Sequence, residues 1–140
     1  MDFRRFGDTL VVRLDKGEEI LSSLSSLARR ERILLAEVSA LGATDDFTVG
    51  VLDTREKRFL PRRFTGDHEI VSLTGTVTAL NGEPYLHLHM SAGSASGEVV
   101  GGHLQRAVVS VTCEMIVRTL DGCVGRRADA DTGINVMDFT

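Results

Sequence analysis

The sequence Glu69-Ile-Val-Ser-Leu-Thr-Gly-Thr-Val-Thr-Ala-Leu80, followed by Asn81-Gly82 and a second run from Pro84 to Ser91, constrains this chain most. The first run is β-branched. Asn-Gly readily supplies the two positive φ angles of a tight hairpin turn. Two antiparallel strands are therefore expected here, with Gly75 marking a bulge or a close backbone approach. Other runs read the same way: Thr9–Leu14, Ile33–Leu41, Asp46–Leu52, Arg58–Leu60 ending at Pro61, Glu98–Val100, Arg106–Arg118 and a short closing strand over 133–139. The segment Gly125–Asp131 reads as a polar tail. Only one stretch has convincing helical spacing. Ile20, Leu21, Leu24, Leu27 and Ala28 recur on one face, with Glu18 and Glu19 before them and Arg29 and Arg30 after, as the helix dipole favours. One helix among many hairpin-linked strands predicts an α+β domain, a largely antiparallel sheet with the helix packed on it.

The length, 140 residues, suits a single domain over 1–140. Aromatics are only 5% of the chain, so the core must come from Val, Leu, Ile and Ala, and few rings remain for stacking nucleic-acid bases. The net charge of −4 works against a surface built to neutralise phosphates. The pairs Arg4-Arg5, Arg29-Arg30, Arg62-Arg63 and Arg126-Arg127 read as solvated surface. Cys113 lies in an apolar run and reads as core; with Cys123 it forms neither a disulfide framework nor a Cys-x-x-Cys motif. No leader-like or membrane-spanning run is seen, and the expected compartment is the reducing cytoplasm.

Three of the four histidines fall between positions 87 and 103. His87 and His89 share one face of a strand, because strand side chains alternate. If the chain turns about Ala95, His103 lies directly opposite His87, with Cβ atoms roughly 4.5–5.5 Å apart. His87, His89 and His103 could then converge as a three-imidazole set that leaves a metal position open, with zinc the expected ion. The bland reading is a polar strand face with each ring hydrogen-bonded. Glu69 and Glu114 sit at or within apolar β runs and are the candidate general bases, or supports for a ligating His. Their plainer role is an ion pair with Arg13 or Arg118. His68, beside Asp67, reads as an exposed loop residue. Thr74-Gly-Thr-Val-Thr78 lacks the Gly-Lys-Ser/Thr end of a phosphate loop, and no Gly-x-Ser-x-Gly elbow is present.

These landmarks resemble a known family. Arg13-Leu14, Gly17-Glu-Glu-Ile20, Val38-Ser-Ala-Leu-Gly-Ala43, Glu69 to Gly75, His87-Leu-His89, Gly101-Gly-His-Leu104 and Thr112-Cys-Glu114 are similar, in order and spacing, to the plants-and-prokaryotes-conserved (PPC) domain. The resemblance implies a compact α+β fold, a homotrimer, and a metal or small-ligand site at His87, His89 and His103 near a subunit boundary. Plant relatives add an AT-hook, Arg-Gly-Arg-Pro, that grips DNA. This chain has none; Pro61-Arg-Arg63 lacks its Gly. The expected function is thus a stand-alone, homotrimeric binding or regulatory module, with DNA disfavoured as partner. The alternative is a zinc-dependent enzyme: an open three-His site can bring the pKa of bound water to about 7 and create a nucleophile.

Overall fold

A computed structural model describes all residues, 1–140. Strand β1 spans Asp2–Phe6 and β2 Thr9–Asp15, α1 covers Ile20–Arg30, and four long strands follow: β3 Ala36–Asp53, β4 Arg58–Leu80, β5 Glu83–Ser94 and β6 Val99–Thr119. A small pair, β7 Gly125–Ala128 and β8 Asn135–Asp138, ends the chain. Every pairing is antiparallel. The main sheet runs β1-β2-β6-β3-β4-β5, and β5 also pairs with β6. Strands β3, β4, β5 and β6 therefore form a closed ring of pairings, with β2 and β1 continuing from the C-terminal half of β6. The protein is mostly antiparallel β with one short helix.

The strands are fewer and longer than the sequence runs. Ile33–Leu41 and Asp46–Leu52 contribute to one strand, β3, because Gly42 removes the side chain that would block it: a Cβ there would lie 2.3 Å from the Thr112 carbonyl oxygen. Irregular pairings near Gly42 and Thr44 let β3 bend without breaking. Arg58–Leu60 likewise continues through Pro61 into β4. Strand β1 had no clear sequence signal, since its face is mostly exposed. The polar tail forms β7, and the expected closing strand, β8, pairs with β7 alone.

One core cluster joins 24 buried residues from the strands, from Ile20, Leu24, Leu27 and Ala28 of α1, and from Ile33 in the connection to β3. As expected from the scarcity of aromatics, Phe47 is its one aromatic member. Cys113 is fully buried within it. Helix α1 is fastened at its start. The Glu19 carboxylate accepts from the Leu21 and Ser22 N–H groups (3.1 and 2.7 Å) and also from Ala107 N–H of β6 (3.1 Å). Glu19→Ala leaves three donors unsatisfied and is expected to lower stability by about 1–2 kcal/mol, measured by urea unfolding.

On the outer surface Asp46 accepts from Arg63 (2.8 and 3.1 Å) and Arg106 (2.6 Å). The hydrogen bonds from Arg63, then Arg106, hold its carboxyl down to about 2. A depressed folded pKa stabilises the protein above the unfolded value of about 3.9, and that contribution is lost as pH falls toward 2. Thermal unfolding of Asp46→Asn should therefore fall below the native protein at pH 6, with the gap closing between pH 4 and pH 2.

Candidate metal centre

The three histidines are brought together by the seam between β5 and β6. His89 pairs directly with His103, and the ladder continues through Met90–Gly102 to Gly93–Val99. The turn is centred on Ser96, one residue beyond the expected Ala95, so His89 rather than His87 stands opposite His103. Even spacing keeps all three rings on the same face after this shift. No bulge interrupts the pairing at Gly101 or Gly102. These glycines allow backbones to close in from both sides. A Cβ on Gly101 would lie 2.6 Å from the Met90 carbonyl oxygen, and one on Gly102 would lie 2.6 Å from that of Gly50. Gly75 acts similarly on the next seam: a Cβ there would sit 2.0 Å from the His87 carbonyl oxygen. It marks a close approach; the β4–β5 irregularity lies at Ile70–Ser72 instead.

One ring nitrogen from each histidine lies within 4.8 Å of the others. The ring centroids are 5.2, 5.2 and 5.5 Å apart. The Nε2 atoms of His87 and His89 are 3.3 Å apart. Two nitrogens each about 2.0–2.1 Å from a tetrahedral ion are roughly 3.3–3.4 Å apart, so this pair already has ligand spacing. An N–H···N hydrogen bond would explain the pair but not the converging third ring. The His103 ring has no hydrogen-bond partner and meets Phe59 edge-on at 5.4 Å. Burial lowers the pKa of both His87 and His103; His103, His89 and Arg126 lower that of His87 further, and His89 that of His103. Both are therefore neutral at neutral pH, the form that can donate a lone pair to a metal.

The other sequence candidates stand elsewhere. Glu69 is exposed on β4, five residues from Thr74, the partner of His89, or roughly 17 Å along the strand. Glu114 is exposed on β6, eleven residues beyond His103, or roughly 36 Å. Their expected arginine partners bond other acids, Arg13 with Asp15 (3.0 Å) and Arg118 with Glu37 (2.5 Å). His68 is a half-buried member of β4 rather than a loop residue; its ring meets Phe47 edge-on, and its Nδ1 donates to Gly66 O (2.7 Å). Sequence reading also missed Arg126. The β7–β8 hairpin folds it over the Tyr85 ring (4.8 Å to the centroid), where its Nε donates to Thr78 Oγ1 (2.9 Å) and its NH1 to Asn135 O (3.1 Å). Tyr85 shares a strand face with His87, so a residue read as solvated surface borders the histidines. Nothing in an Arg-Arg pair forty residues away signals that placement.

Residues 1–121 match the family model of the Plants and Prokaryotes Conserved (PCC) domain. The fold is similar to a "putative DNA-binding protein" from Bacteroides thetaiotaomicron, at 26% identity and a TM-score of 0.96 over 99% of this chain and 96% of that one. It is also similar to a metal-containing protein from Archaeoglobus fulgidus, at 31% identity and a TM-score of 0.88 over 98% of each chain. A plant- and prokaryote-conserved protein from Pyrococcus horikoshii aligns at 25% identity and a TM-score of 0.85, over 99% of this chain and 95% of that one. No curated protein sequence matches the chain.

Proposed function

Because the chain belongs to the Plants and Prokaryotes Conserved (PCC) domain family, we propose that it is a metal-holding binding module of that family, with His87, His89 and His103 ligating a divalent cation. The observation that carries this reading is three nitrogens within 4.8 Å, two of them already at ligand spacing. The Archaeoglobus protein, 31% identical, is described as metal-containing, which supports it. Zinc suits an all-imidazole set and would supply Lewis acidity at a coordination position the three rings leave open. Titration with zinc followed by calorimetry should give one ion per chain. A protein that takes up none would remove the reading.

The enzyme alternative needs a base in reach of the open position. Glu69 and Glu114 do not face it, so binding stands first. Assembly as a homotrimer is supported by uncovered apolar side chains on the sheet, among them Val11, Leu41, Val71, Val111 and Ile116. Light scattering should return the mass of three chains; the mass of one would exclude the trimer. DNA is the weaker partner reading. Arg55, Lys57, Arg58 and Arg62 are exposed around the end of the β3–β4 hairpin, but the net charge is −4. No helix is long and apolar enough to cross a membrane.

A further inference from the structure

The β5–β6 ladder ends at the His89–His103 pair. Beyond it β5 continues back to Glu83 with only β4 as partner, while β6 continues alongside β3. The two strands part at the histidines, and α1 lies over the gap. Arg29 of α1 bonds Glu83 of β5 (3.0 Å), tying the helix to the parted strand. Between them is a shallow cleft of about 640 Å³, largely open to solvent, with His103 in its wall. Leu21, Leu86 and Leu104 make its apolar surface, and Ser22, Ser25 and Gln105 its polar one. The Ser22 hydroxyl donates to Glu19 O, whereas the side chains of Ser25 and Gln105 have no bond to the protein.

Apart from His103, no lining side chain is ionisable. Away from the ion, a charged ligand body would lose hydration there without gaining a counter-charge. We propose that this cleft is the ligand site of the metal centre. Its ligand is a neutral molecule with an apolar body and hydroxyl or amide groups, reaching the ion with one oxygen-bearing end. The apolar body would lie on Leu21, Leu86 and Leu104, and its polar groups would meet Ser25 and Gln105. This rests on the metal reading above, because the ion fixes one end of the ligand.

Alkyl hydroxamates test it, since each chelates zinc through the same head group and differs only in its tail. Binding of acetohydroxamate, hexanohydroxamate and the carboxylate-tailed succinic monohydroxamate to zinc-loaded protein would be compared by calorimetry. A buried methylene tightens binding about fourfold, so hexanohydroxamate should bind at least roughly tenfold more tightly than acetohydroxamate. The carboxylate tail should give no gain. Ser25→Trp fills the cleft and should bring the hexano-to-aceto ratio to about one. Leu86→Ala should lower the same ratio and serves if the tryptophan variant does not fold. Equal affinity for the two alkyl probes in the native protein would overturn the cleft proposal and leave the metal centre standing. An equal gain from the carboxylate tail would overturn the neutral-ligand assignment. Protein that takes up no zinc would overturn both.

Discussion

Replacing His103 with alanine is expected to weaken zinc binding by at least roughly 100-fold. Loss of a mere hydrogen-bond partner to a ligand costs 10–100-fold, and removing a ligand itself exceeds that. His103 is the sole member of the set on β6, so its loss leaves two neighbouring rings of one strand. The effect also reaches folding. With free zinc at about 1,000 times the dissociation constant, the native protein gains about 4 kcal/mol, or roughly 10 °C in Tm for a domain of this size. The variant should lose most of that gain. Without metal the two proteins should unfold at similar temperatures, because the His103 ring is only half-buried and has no hydrogen bond to lose. Thermal scans with and without zinc separate these cases. A variant whose zinc-dependent shift equals the native one would exclude His103 as a ligand.

Gly75→Ala is the second large effect, and it links the sheet to the site. The added methyl would meet the His87 carbonyl oxygen at 2.0 Å and the Leu88 Cα at 2.8 Å. Backbone atoms cannot rotate out of the way, so β4 and β5 must separate where His87 is held. Overpacking of a fitted interior costs typically 1–3 kcal/mol, and contact with main chain places this change at about 3 kcal/mol. Urea unfolding should show that loss together with weakened zinc affinity. Gly82→Ala is the comparison: its φ is +80°, but no atom lies within 4 Å, so it carries turn strain without a collision. It should cost about 1 kcal/mol and leave zinc affinity unchanged.

Much of this arrangement can be read from local pattern. The α1 periodicity, the Asn81-Gly82 turn and the alternation of His87 and His89 each act over a few residues, and each appears where expected. Strand parity was enough to put His103 on the same face, even though the turn centre moved by one residue. The continuity of β3 and β4 was not legible. Pro61 and Gly42 normally punctuate strands; here neighbouring strands decide that the chain passes through. Arg126 was equally hidden, since its place depends on a hairpin folding back onto Thr78 and Tyr85. The cleft was also unreadable, because it exists where two paired strands part company, and no local pattern encodes where a ladder stops.

X-ray absorption at the zinc edge of the loaded protein tests the metal assignment most directly. The structure predicts a first shell of three imidazole nitrogens at about 2.0–2.1 Å, completed by an exchangeable light atom and reduced by one nitrogen in His103→Ala. A shell containing sulfur at about 2.3 Å, or one unchanged by that substitution, would contradict it.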